Sequence, residues 1–410
     1  MKKVVRFLLL AVLFPHAISA YSFADFYNSF QGFGSSFNNA NTGLTAFPSL
    51  LVPSGGLYEG MGTAFTAVAS DSSFIEANPA GSAVQKTSEL SFLHNNWIAD
   101  SNVESVIYTT RIKNLGLAAA GKFLYLPFTA YDEWGNRVSK GYYSESVATL
   151  NVSYNFLSSY YFYGIAVGAN VKAAYRNVPA AIYPGQSALT GMVDVGALTR
   201  FNFLKYYASR SRNFSIGAVV RNVGLYAEGE PLPTEAVLGL AYAPIRPLTV
   251  AVDFNYPFSF TPSLYPAESF NVATGMDLRI TDFFALQGGF RYGGADPRIT
   301  LGSTIALKKI TFDVNYTLDM TTQLGTLDHF SIEAMLNLGD DGRAALEREV
   351  TDYYVTGLDV YAKGDLEKAI SYWEEALKLD PTFQPARQYL DTAKRALQLE
   401  VEMRSLRHVD

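Results

Sequence analysis

From residue 88 to residue 338 apolar side chains recur at every second position, and that period decides what the chain can become. Ile310, Phe312, Val314, Tyr316 and Leu318 share one face, while Thr311, Asp313, Asn315 and Thr317 share the other. Leu248, Val250, Val252, Phe254 and Tyr256 oppose Thr249, Ala251, Asp253 and Asn255 in the same way. Successive strand side chains point to opposite faces, so this pattern predicts strands with one apolar face and one polar or small face. Fourteen are expected, at about 88–97, 103–112, 115–125, 145–156, 161–175, 187–201, 213–222, 234–243, 247–257, 268–280, 283–292, 298–307, 309–318 and 328–338. They are longer than the ~5–6 residues of most globular strands and match the ~9–11 needed to cross a bilayer.

The connections sharpen the reading. Lys113-Asn114, 157–160, 244–246, Thr281-Asp282 and Lys308 are short, whereas 126–144, 176–186, 223–233, 258–267 and 319–327 are long. The alternation breaks twice, at a short first long-side loop and at a long turn over 202–212. An even strand count, short turns at one end and longer loops at the other predict an all-β transmembrane barrel of about 14 antiparallel strands over 87–339, both of whose ends lie on the periplasmic side. A soluble sandwich or propeller would turn Lys- and Glu-rich faces to water. Here the second face is Gly, Ala, Thr and Asn with few charges, which suits a wet or plugged lumen. Tyr108, Tyr125, Phe156, Tyr256, Tyr292 and Tyr316, near strand ends, suit interfacial girdles.

Charge is distributed accordingly. Residues 340–410 hold 15 acidic and 10 basic side chains, while the 339 residues before them hold only 45 charges. The tail is therefore expected to be water-soluble and helical, and the body built for a less polar medium. A net charge of −6 removes the electrostatic signature of nucleic-acid binding. The absence of cysteine excludes disulfides, thiolate metal sites, a Cys nucleophile and a lipid-modified N-terminal Cys. His16, His94, His329 and His408 are too scattered for a His-rich metal centre, so no metal or other cofactor is expected. At the N-terminus Lys2, Lys3 and Arg6, an apolar run from Phe7 to Phe14, and the small residues Ala17, Ser19 and Ala20 predict an export signal over 1–20.

Between this signal and the first strand, residues 21–86 carry no strong strand period. Their informative part is Gly60-Met61-Gly62-Thr63-Ala64 and, further on, Asn78-Pro79-Ala80-Gly81. Small residues permit tight backbone packing, and Asn78 with Pro79 is a helix cap followed by a favoured first position. A glycine-rich stretch and Asn-Pro-Ala just upstream of fourteen strands resembles the FadL family of outer-membrane long-chain fatty-acid transporters. It also resembles spirochaete proteins related to that family, some of which carry C-terminal helical repeats. The resemblance covers roughly residues 50–338. It implies a barrel plugged by an N-terminal hatch over 21–86, capture of hydrophobic ligand outside, and lateral exit at a kink in the third strand, where Gly121 is the candidate.

The period also orients the charges. Lys172, Asp194, Arg200, Arg221, Asp253, Asp277, Arg279, Arg291, Asp313 and Glu333 fall on the lumen side. Lys172, Arg221, Arg279 and Arg291 could each meet a ligand carboxylate; equally, they could pair with Asp253, Asp277 and Asp313 and only knit the lumen or hold the hatch. In the tail, Gly357, Gly364, Ala369, Trp373, Ala376 and Pro381 fall at the spacing of a tetratricopeptide-like repeat, with a further helix over 383–399. That tail is expected to lie in the periplasm, capping the barrel or binding a protein partner.

These readings favour diffusive uptake of long-chain fatty acids or similar hydrophobic molecules. A second reading is an outer-membrane docking or assembly protein that binds exported proteins through the barrel and tail. A general porin conflicts with the small-residue plug. An enzyme is not expected, since His94 and His329 with Ser91 and Ser331 form no recognisable site.

Overall fold

The computed structural model describes residues 45–407 except 98–99, 181–183, 208, 210, 261, 263, 265, 295–296 and 321–327. The expected export signal lies outside the described residues. Fourteen strands form one closed sheet: β1 (Ser88–Asn96), β2 (Asn102–Ile112), β3 (Leu115–Tyr131), β4 (Arg137–Phe156), β5 (Ile165–Asn177), β6 (Ala188–Phe201), β7 (Phe214–Gly224), β8 (Glu235–Ile245), β9 (Leu248–Pro257), β10 (Asn271–Arg279), β11 (Phe284–Gly293), β12 (Arg298–Ala306), β13 (Ile310–Asp319) and β14 (His329–Gly339). Each pairs antiparallel with its neighbours in sequence, and β1 closes on β14 with Phe92 opposite Ala334. Closure gives every strand two partners and leaves no edge, which is the condition for crossing hydrocarbon with strands.

The side-chain alternation is that of a membrane protein. Phe92, Leu150, Val171 and Leu301 face outward and are exposed, whereas their neighbours Ser91, Asn151, Asn170 and Thr300 face inward and are buried. An apolar band of this extent around the outside is stable only against lipid.

The largest departures from the expected boundaries are in β3, β4 and β5. The segment 126–144 is not a loop. β3 and β4 stay paired from Leu126 opposite Tyr143 to Tyr131 opposite Arg137, beyond the last partners offered by β2 at Tyr125 and by β5 at Ser144. The result is a two-stranded ribbon standing above the long-loop end. Its turn is set by Asp132, whose carboxylate accepts the N–H groups of Trp134 at 2.9 Å and Asn136 at 2.8 Å, with Gly135 at φ 77°. Aromatic and β-branched residues on both arms favour extension there, and Trp134 at the tip is 86% exposed. In addition, β5 begins at Ile165 rather than at 161, because Tyr161 to Gly164 belong to the turn.

Beyond β14 come three helices, which we number after two short helices of the lumen, α1 (Gly56–Gly60) and α2 (Phe74–Ala77): α3 (Arg343–Ala362), α4 (Leu366–Leu379) and α5 (Gln384–Arg407). Asp340 accepts the N–H groups of Ala344 at 2.8 Å and Gly342 at 3.2 Å, which stabilises the carboxylate and holds its pKa below the usual range. Trp373 is fully buried and donates its indole N–H to the Tyr354 carbonyl at 3.2 Å. It lies against Gly357, where any Cβ would fall inside 3.0 Å of the indole. Ala369 and Ala376 let α3 and α4 approach, Gly364 turns the chain between them at φ 86°, and Pro381 follows the end of α4. The helices touch the short-turn end of the barrel: the Tyr160 and Phe383 rings meet at 5.1 Å, Tyr161 donates to Gln388 at 3.3 Å, and Arg343 donates to the Lys86 carbonyl at 2.6 Å.

Trp373→Ala removes the centre of this small core and is expected to cost the helical unit about 3–5 kcal/mol. Loss of helical circular dichroism with retention of a heat-modifiable barrel on electrophoresis is the expected result. Loss of both would show that the barrel depends on the helices.

Candidate functional site

Residues 45–86 run inside the barrel. Phe47, Met61, Phe65 and Phe74 are fully buried there. Asn78 fixes the key turn: its Oδ1 accepts the Ala80 N–H at 3.1 Å, and its Nδ2 donates to the carbonyls of Thr66 at 2.9 Å and Ala197 at 3.1 Å. Pro79 opens the 3-10 turn Pro79–Val84 that follows.

The contact between this segment and the wall is made by glycine. Gly289 on β11 faces Gly62, Gly275 on β10 faces Met61, and Gly239 and Gly217 on β8 and β7 face Thr66 and Ala67. Gly196 on β6 faces Asn78, Gly168 on β5 faces Pro79 and Ala80, and Gly116 on β3 faces Ser82 and Ala83. At each of these seven wall positions a Cβ would come closer than 3.0 Å to the lumen segment. The segment therefore winds around the wall from β11 to β3 with backbone against backbone. Gly60 and Gly62 permit the same approach from the segment's side, Gly62 lying 2.7 Å (from an ideal Cβ) from the Phe290 nitrogen with φ 62°. Gly81 makes room for the Phe74 ring.

Hydrogen bonds then hold what the glycines admit. Asp253 accepts the N–H groups of Phe65 at 3.0 Å and Thr66 at 2.9 Å; Arg200 donates to the Val68 carbonyl at 2.6 Å; Asn315 donates to the Gly56 carbonyl at 3.0 Å. Glu59 accepts from Thr317 at 2.9 Å and lies 3.2 Å from His329 Nε2, both acid and imidazole being buried.

The filling is incomplete beside β3. A cavity of about 40 Å³ is lined by Leu50, Ile75, Glu76, Ile107, Gly121, Lys122, Thr149, Lys172 and Arg221. That is room for a few water molecules and too little for an acyl chain. Directly outside, a lipid-facing groove of about 460 Å³ is lined by Tyr108, Ala119, Leu150 and Val171 together with Ala120, Gly121, Thr149 and Lys172, which also line the inner cavity. At Gly121 only the strand backbone separates the two, and a side chain there would meet open space. A second lipid-facing groove of about 500 Å³ crosses β5–β9, but the inner wall behind it, at Gly196, is filled by Asn78 and Pro79.

The cavity gathers two of the four candidate cations. Lys172 pairs with Asp194 at 2.7 Å, and Arg221 with Glu235 at 2.7 Å. Arg291 is elsewhere, in a pocket of about 40 Å³ at the outer mouth lined by Thr45, Pro231, Pro257, Pro266 and Glu268, where it donates to Asn271 at 3.0 Å. Arg279 does not reach the lumen interior: it is exposed at the end of β10, on the short-turn rim. The kink expected at Gly121 is not present. Gly121 pairs with Val106 on one side and Ala148 on the other without a register shift, so its backbone has no unmet bond to relieve by bending. Sequence reasoning passed over Lys122 and Glu76, which form the third pair at 3.1 Å. The inward parity of β3 marks Lys122, the residue after Gly121; nothing in the irregular lumen segment marks Glu76.

A family model described as an uncharacterised protein family, UPF0164, matches residues 27–341, and the chain belongs to that family. Two UPF0164 proteins of Treponema pallidum (strain Nichols) are each 28% identical to it, one over 90% of this chain and 88% of its own length, the other over 86% and 75%. Among solved structures, the Pseudomonas putida toluene transporter TodX matches with a TM-score of 0.50 at 12% identity, over 68% of this chain and 96% of its own. That likeness is one of fold alone.

Gly168→Val places two methyl groups against Pro79 and Ala80. Overpacking of this kind costs about 1–3 kcal/mol, so the lumen segment should open more often. Because the chain has no cysteine, Ala83→Cys supplies a single buried reporter, and its maleimide labelling should rise by roughly tenfold or more in the Gly168→Val background.

Proposed function

We propose that the protein carries long-chain fatty acids or similar hydrophobic molecules across the outer membrane by diffusion, with residues 45–86 acting as a hatch and the wall at Gly121 as the lateral exit. The observation that carries this reading is the coincidence of an inner cavity and a lipid-facing groove on the same four residues of wall. The route begins at the outer-mouth pocket beside Arg291, whose lining is rich in proline and therefore stiff. It continues to the cavity below, which must enlarge by movement of the hatch, since the present volume admits no acyl chain.

The exit requires β3 to part locally from a neighbour. Gly121 lowers the steric cost of that step because no side chain lies in the way. Inside an intact wall the strand hydrogen bonds oppose it, so an arriving ligand has to supply the difference. No energy source is needed for net flow: removal of the molecule on the periplasmic side gives direction. TodX is a toluene transporter, and its likeness in fold supports a hydrophobic cargo here without fixing the cargo's size.

Saturable binding of a pyrene-labelled long-chain acyl probe to the full chain in detergent, competed by unlabelled oleate or methyl oleate, is the expected result. Gly121→Trp should leave binding unchanged but slow transfer of the bound probe into surrounding lipid severalfold, followed by energy transfer to a headgroup-labelled acceptor. A folded barrel that binds neither competitor would overturn the transport reading. Binding with unaltered transfer would move the exit elsewhere.

A further inference from the structure

We propose that the cavity beside Gly121 selects uncharged hydrophobic molecules, such as long-chain esters, alcohols or hydrocarbons, over free carboxylates. The inference rests on the transport reading and names the class of cargo. It starts from the charge inventory of the site. Lys122 lies 3.1 Å from Glu76, Lys172 2.7 Å from Asp194, and Arg221 2.7 Å from Glu235, so three cations meet three acids one to one. All six side chains are buried or nearly so; Glu76 is the most open, at 20%.

Each cation also donates to a neutral acceptor. Lys122 also donates to the Val52 carbonyl, and Lys172 to Asn222 Oδ1 at 3.0 Å. Arg221 reaches the Glu76 carbonyl at 2.7 Å and the Tyr58 hydroxyl at 3.3 Å. A carboxylate arriving here would be a fourth negative charge among three satisfied cations. It could bind only by displacing one acid, which would then be a buried charge without a partner, and that is among the most costly states a protein interior can hold. An ester or alcohol asks for no such exchange. Once the hatch has shifted to make room, its chain can lie against Leu50, Ile75 and Ile107 while the two wall pairs, Lys172–Asp194 and Arg221–Glu235, stay intact.

This arrangement makes one residue decisive. Glu76 belongs to the hatch, whereas Lys122 belongs to the wall, so their pair is the one that hatch movement would open. Replacing Glu76 by Gln keeps the shape and leaves Lys122 without its acid. The site would then have a cation to offer.

The test is displacement of a pyrene-labelled long-chain methyl ester from the full chain in detergent, at about pH 7.5, where a carboxylate is ionised and a lysine still holds its proton. Methyl oleate should compete at a lower concentration than oleate against the native protein. Glu76→Gln should shift the oleate-to-ester affinity ratio towards oleate by about tenfold or more, the worth of one charge-assisted hydrogen bond. Adding Lys122→Met to Glu76→Gln should return the ratio to its native value. Because the ratio compares two ligands on one protein, general loosening of the hatch cancels from it. Tighter binding of oleate than of its ester by the native chain, or an unchanged ratio in Glu76→Gln, would overturn the inference and leave the transport reading standing. If neither ligand competes, both fall.

Discussion

Everything in this molecule depends on the closing of one hydrogen-bonded ring. A bilayer offers the backbone no water, so every strand must find two partners, and β1 must meet β14. Once that ring exists, the outward face has to be apolar and the inward face becomes the only place where polar chemistry can be kept. Lysine, arginine and acid then accumulate inside because the outside would reject them. Lys122, Lys172 and Arg221 each pair there with an acid, because the inside is too poor in water to leave them alone.

The interior is filled by a second piece of main chain rather than by large side chains. Backbone packed against backbone requires glycine at the contacts, and seven strands supply it. The gain is a closely fitted segment whose polar groups can reach the wall, as Asn78 reaches Ala197 and Asp253 reaches Phe65 and Thr66. The cost is that little free volume remains. One cavity lies where β3 carries both Gly121, facing lipid, and Lys122, facing the lumen.

Much of this was legible in the residues, and the reasons differ from element to element. The strands announced themselves because a two-residue period is imposed by geometry and reinforced by the contrast between lipid and lumen. Inward residues such as Lys172 and Arg221 followed from parity alone; their partners did not, since they pair with Asp194 and Glu235 rather than with the expected Asp253, Asp277 and Asp313. The ribbon was hidden because above the membrane both of its faces meet water, and the contrast that writes the period disappears. Arg279 was misplaced because parity gives the face but not the depth: it ends β10 at the rim, where its side chain meets water rather than the lumen interior. Glu76 was invisible for a deeper reason. It sits in a segment with no repeating geometry, and its partner Lys122 is 46 residues away.

The glycine track carries a consequence for how such a chain can vary through time. The face turned to lipid asks only for apolar bulk, so Leu150 could become isoleucine or Val171 leucine without disturbing a partner. The inner wall has no such freedom. Gly168 answers to Pro79 and Ala80, and Gly217 to Thr66 and Ala67, across separations of about ninety and a hundred and fifty residues. A side chain gained on one strand has to be matched by a retreat in the segment it touches. Descendants of this sequence should therefore drift quickly on their outer surface, while within the lumen distant positions change together or not at all.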